Sequence, residues 1–139
     1  MEKQEQDYNL FDWWYKVVFK NFANFDGRAR RKEYWYFVLV NLIISFVLGI
    51  IDGLAGLTIG PVENGNGILG TISSLVFLIP SIAVGVRRMH DVGKSGWYLL
   101  IPIYNLILAC TEGENGKNEY GDNPKSNNSE INEIGISQE

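Results

Sequence analysis

The sequence predicts an all-α integral membrane protein, a small helical bundle of about three membrane segments preceded by an amphipathic interfacial helix. Two observations predict it. Residues 34–51, 64–86 and 95–111 contain no Asp, Glu, Lys or Arg. A water-soluble helix places charge on one face every few residues, so windows this long call for an apolar solvent. The charges that do occur crowd the edges of those windows, beside Trp and Tyr, as they do at a membrane surface.

The apolar fraction of 46% would fit a soluble domain, so distribution decides the class. The net charge of −4 averages unlike regions. Residues 1–33 carry seven Lys/Arg against six Asp/Glu, residues 87–96 three against one, and residues 111–139 two against seven. The membrane-proximal stretches are basic and the tail is acidic. No basic surface on a soluble fold is available, so nucleic acid is not an expected partner. One cysteine and one histidine exclude an intrachain disulfide and a Cys/His zinc site. No metal or cofactor is expected, and Cys110 reads as a small apolar residue.

Residues 1–7 form a polar lead expected to be disordered. An interfacial helix is predicted over 8–25. Phe11, Tyr15, Val18 and Phe22 follow the 4-3-4 spacing of one face, joined by Trp14, with Asp12, Lys16 and Lys20 on another. Trp13 and Trp14 suit the half-dry headgroup layer, as do Trp35 and Trp97 further on.

Asp26-Gly27 is a turn, and a helix is predicted from about Arg28. Arg28, Arg30, Arg31 and Lys32 would then occupy its first turns, where the helix dipole disfavours cations by several tenths of a kcal/mol each. Anionic lipid would offset this at about 1 kcal/mol per cation. Glu33 stands three residues after Arg30, within reach of an intrahelical pair.

The membrane segments are predicted at about 33–53, 68–88 and 95–111. Tyr34, Trp35 and Tyr36 form an aromatic belt at the entrance to the first. Ser45, Gly49 and Gly53 recur every four residues and permit close helix packing, as do Ser81 and Gly85 in the second segment. Residues 52–67 form a Gly-rich loop without Lys or Arg. Gly53-Leu54-Ala55 resembles a signal-peptidase site, but the aromatic, amphipathic 33-residue lead is not a signal n-region. Pro80 is expected to kink the second segment; the third holds Pro102 and Asn105, and its 17 residues are the minimum for a span, so it is either tilted in a thinned bilayer or broken at Pro102. A short tail motif follows at 112–124, closing a single membrane domain of residues 8–124. Residues 125–139 have the composition of a disordered tail.

The positive-inside rule places the amino terminus and residues 87–94 in the cytoplasm and the Gly-rich loop outside. Three full crossings would leave the tail outside.

Gly93-Lys94-Ser95 lacks the earlier glycine and the strand of a phosphate-binding loop. His90-Asp91 is the one pair with acid–base capacity, but neighbours on a helix diverge by about 100°, and Asp91 equally neutralises Arg87 or Arg88. Arg87, Arg88 and Lys94 form a basic collar on the same side as Arg28–Lys32. These cations, with Glu33, His90 and Asp91, are the candidates for contact with lipid headgroups or a partner, although topology alone would also explain them. No catalytic residue is assigned.

The order of motifs is similar to that of a known family. Phe25 to Trp35, Arg87 to Trp97 and Gly116 to Pro124 match patterns reading roughly F-x-G-R-A-R-R-x-E-Y-W, R-R-x-H-D-x-G-x-S-G-W and G-x-N-x-Y-G-x-x-P. With them, the chain resembles, from about Trp13 to Pro124, the bacterial inner-membrane family filed as domain of unknown function 805. The third segment is shorter here than the family pattern has it. The resemblance implies a bacterial plasma-membrane address, multi-pass, and supplies no activity.

The expectation is a non-enzymatic module that contacts anionic headgroups, or a partner membrane protein or second copy, through a cytoplasmic basic and aromatic face. The alternatives are a small transport or channel component, and a membrane-embedded enzyme using Arg87, Arg88, His90 and Asp91.

Overall fold

A computed structural model describes residues 7–61 and 65–124; the lead before Asp7 and the acidic tail beyond Pro124 lie outside the described residues. The fold is an antiparallel pair of long helices, joined at one end by a short hairpin, with the remaining elements gathered as a cap at the other.

Asn9 opens α1 (Leu10–Tyr15) with a reciprocal capping box. Its side chain accepts from the Asp12 amide and the Asp12 carboxylate accepts from the Asn9 amide, both at 3.0 Å. A π-helical turn follows at Lys16–Lys20, closed by the Asn21 amide donating to the Lys16 carbonyl at 3.0 Å. This wider turn changes the expected face. Phe11, Tyr15 and Phe19, each four residues apart, stay in line and exposed, while Val18 turns inward beside Val17 and Trp13.

α2 (Arg31–Ala55) and α3 (Ile68–Asp91) have 25 and 24 residues, each about 36 Å long and sufficient to cross a bilayer. α2 begins at Arg31, later than the predicted Arg28, because its N-cap Arg30 is extended. It ends at Gly56, whose φ of 67° is the left-handed cap that glycine adopts without cost. A hairpin, β1 (Thr58–Ile59) against β2 (Asn66–Gly67), turns the chain back. α3 runs through Pro80 without interruption.

The long helices bury little of themselves: 11% of the most apolar window of α2 and 22% of that of α3. Phe46 is 71% exposed and Leu75 66%. Side chains of this kind facing outward along both helices have hydrocarbon as their solvent, and the chain is an integral membrane protein.

The small-residue stripes behave differently from one another. A Cβ at Gly85 would come within 2.9 Å of Leu99, so glycine lets the following turn approach α3 closely. The Ser81 hydroxyl donates to its own helix at Phe77. Ser45, Gly49 and Gly53 do not close against α3. With Gly70, Thr71 and Ser74 they line a cavity of about 650 Å³ beneath the hairpin.

The third apolar segment doubles back instead of crossing. It forms a 3₁₀ turn (Gly96–Leu100) and α4 (Tyr104–Cys110), which at seven residues is about 10 Å long. Pro102 has no amide proton, and Ile103 takes a φ of 68°. The break leaves the Leu99 carbonyl to be satisfied by the Asn105 side chain, at 2.7 Å. Residues 111–124 therefore return to the end of α3 where the segment began. The expectation that the tail emerges at the opposite end is corrected.

Candidate functional site

The last turn of α3 carries Arg87, Arg88 and Asp91, all buried. Adjacent residues on a helix diverge by about 100°, so the two arginines reach opposite sides of the cap.

Arg87 holds the amino-terminal side. Its Nη1 donates to Glu33 Oε1 at 2.5 Å and its Nε to the Asn24 carbonyl at 3.0 Å, while its own carbonyl accepts from the Ala29 amide. Lys16 approaches the other Glu33 oxygen at 3.4 Å. Glu33 is completely buried and thus joins α2, α3 and the π turn. Arg30 occupies the extended N-cap position, its guanidinium over the Trp13 ring at 5.4 Å. Trp13, expected as a surface anchor, is only 1% exposed and lies beneath both Arg30 and Lys16.

Arg88 and Arg28 hold the carboxyl-terminal side. Both bind Asp91, Arg88 through a close ion pair with Oδ2 and Arg28 from Nε to Oδ1 at 3.0 Å. The rest of their donors take main-chain carbonyls. Arg88 donates to Ala29 at 2.9 Å, Ala109 at 3.2 Å and also to Thr111. Arg28 donates to Gly116 at 2.7 Å and Glu114 at 2.5 Å. The Glu114 amide returns a bond to the Asp91 carbonyl at 2.7 Å. Planar guanidinium groups with five fixed donors suit such convergent carbonyls, which an ammonium could not serve in the same way. Gly113 lies so close that a Cβ there would meet the Asp91 carboxylate at 2.1 Å, which explains a glycine in this strap.

His90 faces the strap. Its Nδ1 lies 3.0 Å from the Gly27 carbonyl, and a carbonyl only accepts, so Nδ1 carries the proton. Its ring stacks on Tyr120, and its carbonyl accepts from Asn118 Nδ2 at 3.0 Å. Lys94 stands 5.8 Å over the Tyr98 ring. Of the candidate cations, Arg31 and Lys32 remain exposed. Of the aromatic anchors, Trp97 is 78% exposed, whereas Trp14 and Trp35 are half-buried and donate to Asn41 Oδ1 and the Ala109 carbonyl.

The cap thus sets three buried guanidinium groups against two buried carboxylates. Burial of unpaired charge is costly, so this centre is built to bind protein and holds its members by mutual need. Sequence reasoning missed the strap contacts of Asn118 and Tyr120, and Asp52 at the far end. Buried Asp52 accepts the Leu69 and Gly70 amides at 3.1 and 2.9 Å, so α2 caps α3. A lone carboxylate ending an uncharged window was the available signal.

The comparisons with known proteins fall on the same residues. A family model described as a protein of unknown function (DUF805) matches residues 22–122. Inner membrane proteins YhaH and YhaI of Escherichia coli strain K12 are 43% and 40% identical to this chain over 119 residues. The alignments cover 81% of this chain and 96% and 95% of theirs. No solved structure matches. The match begins before Arg28 and ends after Tyr120, enclosing the first two sequence signatures, most of the third and the buried cluster they build, and the chain belongs to the DUF805 family of proteins of unknown function.

Proposed function

We propose that the protein is a non-enzymatic inner-membrane module whose cap lies on the cytoplasmic side, in the headgroup layer, and contacts anionic lipid or a partner membrane protein there. The observation that carries this reading is the aromatic row of Phe11, Tyr15, Phe19 and Phe22, 40–63% exposed and joined by exposed Lys20. Rings with an adjacent cation favour the boundary between headgroup and hydrocarbon. The names of the two relatives support the inner membrane. The cations of the cap, against a hairpin loop without Lys or Arg, support the cytoplasmic orientation.

Engagement of the acid–base groups supports a non-enzymatic role. Asp91 is bound by two arginines and His90 Nδ1 by the Gly27 carbonyl. A transport path through the monomer has little support, since Asn41, Ser74 and Ser81 are each bonded within the protein.

A nitroxide at Phe19, compared with one at Asn24 in the exposed turn, tests the reading in a Cys110→Ser chain reconstituted in bilayers. Phe19 is expected to collide more with oxygen and less with a water-soluble nickel chelate than Asn24. Equal nickel access at the two positions would overturn it.

A further inference from the structure

Two cations of the cap stand outside its buried network. Arg31 and Lys32 are exposed, and neither has a carboxylate partner among the described residues. The two buried carboxylates of the cap, Glu33 and Asp91, are held by Arg87 and Lys16 and by Arg28 and Arg88. Arg31 has only a long bond, 3.4 Å, to the Cys110 carbonyl.

Their placement has an order. Trp35 follows Arg31 and Tyr36 follows Lys32 by four residues, so each cation stands one turn above a ring on the same face of α2. The cations form one row and the rings a second, about 5.4 Å further along the axis toward the centre of the span. These four side chains and Cys110 line a pocket of about 390 Å³ at the entrance of α2. Behind it the buried cluster has one guanidinium in excess of its carboxylates. The positive end of the α2 dipole adds to that field.

We infer that this pocket is a site for an anionic phospholipid, with Arg31 and Lys32 on the phosphate and Trp35 and Tyr36 beside the glycerol and the upper acyl chains. The inference rests on the reading that the cap lies in the headgroup layer, and gives that reading a specific site. A free phosphate would satisfy the cation row but leave the ring row against nothing. A lipid at the mouth of a membrane-spanning helix spans both levels. Two surface cations favour an anionic over a zwitterionic headgroup roughly thirtyfold, so a minority of anionic lipid would fill the site.

Cys110, the one cysteine of the chain, is exposed in the pocket wall and serves as reporter. The full chain is placed in nanodiscs of phosphatidylcholine, with or without added phosphatidylglycerol, and alkylation of Cys110 by a neutral maleimide is timed. Phosphatidylglycerol is expected to slow the reaction several-fold, and the slowing to vanish in Arg31→Gln/Lys32→Gln. It should survive the charge-preserving exchange Arg31→Lys/Lys32→Arg. A cysteine at Asn24 in a Cys110→Ser chain reports the general effect of surface charge and should slow far less. Equal slowing at both positions, or slowing that persists in the double Gln variant, would overturn the site. Protection by glycerol phosphate in phosphatidylcholine discs would show a phosphate site and overturn the lipid. If Cys110 is unprotected while Phe19 still lies in the headgroup layer, the site alone fails. If Phe19 lies in water, the broader reading fails as well.

Discussion

The rings of Tyr120 and His90 lie parallel, 1° apart in plane and 4.0 Å between centroids, so the third sequence signature is laid flat on the second. Desolvation, followed by Glu119, pushes the Tyr120 phenol above its usual range. A ring pair of this kind contributes about 0.5–1.5 kcal/mol beyond its area. Tyr120→Ala should therefore raise the opening frequency of the strap roughly two- to tenfold, read as amide hydrogen exchange over residues 111–124. Tyr120→Phe keeps the stack and should leave exchange unchanged.

Asp91 is the common partner of Arg28 and Arg88, and all three are buried. Asp91→Asn leaves two guanidinium groups without their carboxylate, at a cost of about 3–5 kcal/mol. The expected result is a large fall in the thermal unfolding temperature in detergent, with proteolytic release of the strap. Asp122→Asn, an exposed acid of the same strap, should change stability by less than about 0.5 kcal/mol. Similar melting of the two variants would contradict the central place given to Asp91.

The return of residues 111–124 to the arginine end makes a topology prediction. In a Cys110→Ser chain, a cysteine at Ile59 in the hairpin should react with a membrane-impermeant thiol reagent in intact cells. A cysteine at Lys117 in the strap should react only after the membrane is opened. Labelling of both in intact cells would mean that the third segment crosses after all.

At the other end, Asp52 and Gly67 form a second coupled pair. Asp52→Ala removes the cap of α3 and should cost about 1–2 kcal/mol. Gly67→Ala would put a methyl 2.1 Å from Asp52 Oδ2 and displace the same carboxylate. Because both break one contact, the double variant should be little worse than either single one, which a double-mutant cycle in detergent reads directly.

The two long helices were legible because an uncharged run is a statement about solvent that needs no partner. The third run was legible as apolar but not as a crossing. What turns it back is the left-handed backbone at Ile103 and the Asn105 side chain on the Leu99 carbonyl, a local bond across the gap left by Pro102 that no charge pattern marks. The candidate site showed the same division. The spacing of Arg87, Arg88 and Asp91 gave the ion pair at Asp91. It could not show that Arg28 would be spent on carbonyls 86 and 88 residues later, because main-chain acceptors carry no sequence signature. The face of α1 shifted for a local reason, the π turn, which moves Val18 inward and keeps Phe19 outside.

The separations within the cluster also impose an order in time. Arg28 and Glu33 are synthesised 63 and 54 residues before Asp91 and Arg87, and Arg28 waits 88 residues for the Gly116 carbonyl. Until then Arg28 lacks its carboxylate and its carbonyls and stays hydrated, which resists the arm following α2 into the bilayer. In the proposed orientation the same arginines serve twice in the life of one molecule. While the chain is being made they hold the arm back on the cytoplasmic side, and once α3 has returned they become the clasp that locks it there.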